Sequence, residues 1–231
     1  MIGKGWVQAV ALVMVFGFFV MGILAYRTYT ASMPLPEKVV SESGQTLFTG
    51  DDITRGQQIF QARGLMEYGS ILGHGAYLGP DYTADYLRMS TDNVAEQLRA
   101  AGATDPRDRV VSEFRTNRYD ADTKTLVFTD KQTKAFNDIQ GHYGAYFGED
   151  STKYGLRPKM ITDETQIRDL TAFFAWTAWA AAAERPGHHY SYTNNWPAEQ
   201  RVDNGPTAAI VVWSALSLIA LLGGIGVMFA V

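Results

Sequence analysis

The chain has 231 residues, enough for one medium domain plus membrane segments. Its net charge is −4, and every acidic residue lies between Glu37 and Asp203, so nucleic acid is a poor partner, because phosphate binding needs a basic face. With no cysteine, disulfides, thiolate metal sites and nucleophilic thiols are excluded, while the compartment stays open.

Residues 6–26 are uncharged and about long enough to cross a ~30 Å hydrocarbon core as a helix. Trp6 and Tyr26 stand at its two ends, where amphipathic rings favour the interface. The run exceeds a signal-peptide core of roughly 7–15 residues and lacks a clear small-x-small cleavage site, so residues 1–27 are expected to be an uncleaved anchor. The acidic block that follows suggests export of residues 28–206.

Residues 30–50, with Pro34 and Pro36, are expected to be an extended connector. Asp51 or Asp52 is placed to cap a helix beginning near Ile53, with Ile53, Gln57, Ile59 and Phe60 toward the core. A loop follows over residues 64–80, and its five glycines imply tight turns and close backbone approach. Next comes an aromatic, acidic run, residues 81–86. Thr91 or Asp92 is expected to cap a second helix over residues 94–101, closed by Gly102. Residues 110–119 and 125–129 bracket an Asp- and Thr-rich turn and are expected to form a hairpin.

Asp130 is expected to cap a third helix toward Phe147. A fourth, over residues 164–183, carries Phe173, Phe174, Trp176 and Trp179. Its uncharged part is short for a span, which favours a helix lying on a membrane surface or against partner helices. Residues 190–197 make a polar, aromatic juxtamembrane loop. Residues 207–231 form a second span, and the absence of a basic tail points to an abrupt subunit end or the front of a longer polytopic protein. The expected fold is therefore mainly α: two transmembrane helices flanking an extracytoplasmic domain with a small β-hairpin.

Chemistry-bearing residues are sparse. His188 and His189 are adjacent and would point to opposite faces of an extended backbone. His142 has no partner at HExxH spacing and suits a structural role. His74 suits a hydrogen-bonding or interface role. No catalytic carboxylate pair, nucleophile motif or phosphate loop is present, and both spans lack His, Asp and Glu.

The helix ending Gly56-Gln57-Gln58-Ile59-Phe60, followed at once by a compact loop, resembles the start of a cytochrome c domain, where Cys-x-x-Cys-His would attach haem. More narrowly, residues 70–81, with Gly73-His74-Gly75-Ala76-Tyr77 and Pro80-Asp81, resemble the loop after the haem motif in the small subunit of cytochrome c-dependent nitric oxide reductases. On that pattern the cysteines fall at Leu65 and Tyr68 and the haem histidine at Gly69. Residues 170–180 and 192–197 extend the likeness. The whole resembles the N-terminal region, or a split small subunit, of quinol-dependent nitric oxide reductase, with a haem-less cytochrome c-like domain. That resemblance implies a haem–copper-oxidase-like catalytic core as partner, holding haem b and non-haem iron and supplied by quinol in the cytoplasmic membrane. It further implies that Gly75 and Tyr77 approach a calcium ion of the core, an ion that takes oxygen ligands. The alternative readings are the same architecture serving an NO dismutase-like or oxidase-like complex and, from another class, a two-span membrane sensor.

Overall fold

The computed structural model describes residues 4–73, 76 and 78–230, so His74, Gly75 and Tyr77 lie outside the described residues. The chain divides into a first unit ending at Pro34 and a second beginning at Leu35. The first unit is helix α1, Lys4–Thr30, whose apolar side chains are exposed along its length. The second unit ends in helix α7, Ala208–Ala230, equally apolar and equally exposed. At 1.5 Å rise per residue, both reach or exceed the ~30 Å of a hydrocarbon core. Neither window has buried residues, and both are apolar enough to cross a membrane. Two apolar helices at the chain's ends, left with unburied faces, suggest membrane insertion.

Between them in the chain is a mostly helical domain with one small sheet. Residues 30–50, expected as an extended connector, contain two paired strands, β1, Lys38–Ser41, and β2, Thr46–Thr49. The expected hairpin is only half present. Its first arm is mostly helix α4, Arg107–Arg115, where Val110 and Phe114 turn one face inward at helical spacing. What remains is β3, Tyr119–Asp120, against β4, Thr125–Phe128. The four strands run in the order β2-β1-β4-β3, with β1 and β4 parallel and the outer pairs antiparallel.

Helix α2, Gly50–Ala62, is capped by Thr49 rather than by Asp51 or Asp52. Asp52 instead closes the capping box, accepting from Thr49 N at 2.7 Å, while Asp52 N donates back to Thr49 Oγ1. Helix α5, Asp130–Phe147, repeats the device with Thr129 and Gln132, so Asp130 is the first helical residue and not the cap. The second helix begins earlier than expected: α3 covers Tyr82–Ala100 and is capped by Asp81. Thr91 and Asp92 lie inside it, and the Thr91 hydroxyl donates back to Arg88 O. Gly102 follows its end at φ +91, as a glycine past a C-cap should.

Helix α6, Glu164–Ala182, organises the core. It is not a surface helix, because Leu170, Ala172, Phe174, Ala175, Ala178 and Ala180 are all buried within this domain. A helix apolar on all sides belongs in an interior. Helix α2 crosses it very closely at Gly56, where a Cβ would stand 2.1 Å from Asp169 O and 2.8 Å from Phe173 Cβ. That contact explains why Gln57, expected on the core face, is exposed instead. Beside the crossing, Arg55 Nε donates to the buried Asp169 carboxylate at 2.9 Å.

The space between α2, α3, α5 and α6 is filled with rings. Tyr82 stacks on Phe174 at 4.8 Å and 4°, with Phe60 edge-on to both. Tyr143 and Phe147 of α5 complete the cluster. Phe48 of β2 stacks on Phe136 at 4.9 Å and so seals the sheet onto α5.

Burial pushes the phenols of Tyr82, Tyr86 and Tyr143 upward, because an anion there would be desolvated. A folded-state pKa raised above the unfolded value of about 10 gives stability that is intact below that pH and is lost as pH rises above it. The chain should therefore melt at a clearly lower temperature at pH 11 than at pH 9. Tyr143→Phe, which forgoes only a 3.3 Å bond to Asp85, should narrow that difference in circular-dichroism melts.

Candidate functional site

The glycine-rich loop leaves α2 through Gly64, at φ +63, and a short 3₁₀ turn, Leu65–Glu67. Leu65 is fully buried. The loop then closes on itself at its neck. Ser70 N donates to Pro80 O at 3.1 Å and Tyr82 N donates to Ser70 O at 2.8 Å, a parallel bridge between the two ends. The neck depends on glycine: a Cβ at Gly79 would sit 1.7 Å from Tyr68 O, and one at Gly69 would sit 2.3 Å from the Tyr82 ring.

Asp81 holds this neck. One carboxylate oxygen accepts from Ser70 Oγ at 2.7 Å and Gly73 N at 2.6 Å, and the other accepts from Ala84 N at 2.9 Å as the cap of α3. A second tie runs into the core. Leu72 N donates to Thr83 Oγ1, which donates to Thr177 Oγ1, which donates to Phe174 O. Leu72 is held at φ +60, a left-handed conformation costly for a side chain with a Cβ. At Gly73, φ +79, a Cβ would meet the Trp196 indole at 2.3 Å, so the loop packs on the segment containing the Trp196–Pro197 peptide.

Of the residues singled out in the sequence, Leu65, Tyr68 and Gly69 are described and come together at this neck. Gly75 and Tyr77, the expected calcium contacts, and His74 lie outside the described residues. His142 is exposed on α5 and walls a cleft of about 430 Å³ beside the loop, with Pro80, Arg88 and Tyr154. His188 and His189 are exposed, and the His188 ring stacks on Tyr190 at 4.6 Å. Among the described residues, no three His, Asp or Glu side chains gather as a metal site. Thr83, Thr177 and Trp196 went unread as parts of this site, since nothing local in the sequence joins them. Asp81 carried a readable signal, an acid just before a helical run.

Asp81→Ala should cost roughly 2–4 kcal/mol, a helix cap plus charge-assisted loop bonds. Asp81→Asn keeps one acceptor for Ala84 N but cannot accept from both Ser70 and Gly73. It should leave the thermal melt nearer to that of the parent chain while opening residues 70–80 to limited proteolysis. Equal proteolysis of the parent and Asp81→Asn would show that the carboxylate does not hold the loop.

Comparison with known families gives residues 36–198 as a match to the NorB cytochrome c-like domain of nitric oxide reductase. No curated protein matches the chain. The matched stretch spans most of the chain and contains the sheet, the helices α2 to α6, the closed loop and Trp196. It links the chain to an oxidoreductase complex. The chain belongs to the NorB family of nitric oxide reductase, through its cytochrome c-like domain.

Proposed function

We propose that this chain is the non-redox N-terminal part, or a split subunit, of a quinol-dependent nitric oxide reductase. In this reading it docks on a haem–copper-oxidase-like core and stabilises it, while the core joins two NO into N2O and water with two electrons and two protons. The domain lies on the extracytoplasmic side of the cytoplasmic membrane, with α1 and α7 as its two spans.

The observation that carries the reading is the neck of the loop. The attachment cysteines of the cytochrome c pattern are replaced by Leu65 and Tyr68, so thioether bonds are chemically out of reach. Where the haem histidine would fall, Gly69 leaves no room for a Cβ, because the Tyr82 ring and Pro80 O stand 2.3 and 2.7 Å from that position. The interior beside it is packed with Phe60, Tyr82, Tyr143 and Phe174. A domain built this way gives soluble cytochrome c no acceptor, so electrons enter the complex from quinol within the membrane. Its retained loop then serves contact, with the Gly75 carbonyl and Tyr77 reaching a calcium ion of the core. Calcium suits such oxygen donors, and the ties at Ser70, Leu72 and Gly73 stiffen the segment that presents them.

In the purified complex, a peroxidase-stained denaturing gel should show no haem on this chain, and NO should be consumed with a quinol as donor. Fast turnover with reduced cytochrome c and none with quinol would overturn the assignment. Tyr77→Phe should lower calcium per complex and alter the haem b spectrum, whereas Gly75→Val should impair assembly. Parental calcium content, spectra and turnover in both variants would remove the clamp role.

A further inference from the structure

The segment between α6 and α7 is fastened by two asparagines. Asn204 is fully buried, and its Nδ2 donates to Ala181 O at 2.9 Å and Pro197 O at 3.1 Å. Its Oδ1 accepts from Glu199 N. Asn195, also buried, donates through Nδ2 to Gly205 O at 2.9 Å and accepts through Oδ1 from Ser191 N at 2.9 Å. Buried amides with their capacity used in this way specify one geometry, since any other arrangement strands them. The geometry here joins the end of α6 and the loop at Trp196 to Gly205, three residues before α7 begins at Ala208.

Trp196 sits between buried Asn195 and buried Pro197, yet 43% of its own surface is exposed. Gly73 packs against its indole, so the ring is fixed rather than free. Trp196 is within about 20 Å of the start of α7, allowing for the extended reach of residues 205–208. From Asn204 onward the chain carries no charge. An exposed, rigid and amphipathic ring so close to a span is what a lipid headgroup layer selects.

We propose that residues 193–198, locked to the start of α7 by Asn195 and Asn204, form a lipid-interface anchor with the Trp196 ring at headgroup level. This rests on α7 crossing the membrane. The anchor fixes the tilt of the domain and sets the height above the bilayer at which the Gly73 segment, packed on the same ring, is presented.

The chain has no cysteine, so a single introduced one carries a unique nitroxide. Full chain in its complex would be reconstituted in phosphatidylcholine–phosphatidylglycerol vesicles and labelled at Ala198→Cys, at Ser217→Cys inside α7, or at Asp122→Cys in the distant turn. Collisions with oxygen report lipid, and collisions with chelated nickel report water. The oxygen-to-nickel ratio at 198 should exceed that at 122 several-fold and fall below that at 217. With Ala198→Cys in place, Trp196→Ser or Asn195→Ala with Asn204→Ala should lower the ratio, while Trp196→Tyr should preserve it. A water-like ratio at 198 with a lipid-like ratio at 217 overturns the anchor and leaves the membrane reading standing. Shielding of 198 from both reagents assigns the surface to a protein partner and also overturns it. A water-like ratio at 217 removes the membrane reading and the anchor together.

Discussion

One carboxylate sets the geometry of the loop and of the helix behind it. Asp81 caps α3 through Ala84 N and closes the loop through Ser70 and Gly73. Both tasks need the same side chain in the same rotamer, so the start of α3 and the shape of the loop cannot vary independently. The next residue, Tyr82, then points its ring into the core, and Thr83 carries the loop's second tie to α6. Three consecutive residues thus connect the loop, the helix start and the buried centre.

The ring cluster behind that point gives the domain a solid interior of its own. Stacked and edge-on pairs among Phe60, Tyr82, Tyr143, Phe147 and Phe174 each add about 0.5–1.5 kcal/mol beyond their burial. The phenols bring a cost, because the Tyr82 hydroxyl is buried without a well-formed hydrogen bond. An interior of this kind keeps the helices around it in one arrangement.

Much of this was legible in the sequence. The long helices α1, α5, α6 and α7 follow from their apolar runs, and the loop's glycines mark its turns, whereas α3, capped by Asp81, starts well before the expected residue 94. What stayed hidden depends on distant partners. The strands β1 and β2 have four residues each, and β1 makes sense only beside β4, far along the chain. The burial of α6 could not be separated from membrane contact by composition alone, since both environments accept Phe, Trp and Ala. The length of α3 was masked by Ser90 and Thr91, which lie buried inside it although such residues more often start helices. Gly56, whose neighbours Gln57 and Ile59 looked more informative, turned out to set the helix crossing.

The parallel pairing of β1 with β4 bears on how the protein is made. Lys38 emerges soon after α1, yet its partner Thr125 is synthesised only after α2, α3 and α4. The central helix α6 comes later still, so α2 has nothing to cross until then. Non-local pairings of this kind are slow to form and leave edges open in the meantime. The β1–β2 and β3–β4 hairpins are local and close early, whereas the four-stranded sheet waits for β4 and the crossing of α2 waits for α6. The two halves of the sheet are thus made separately and joined late, with the core completed last of all.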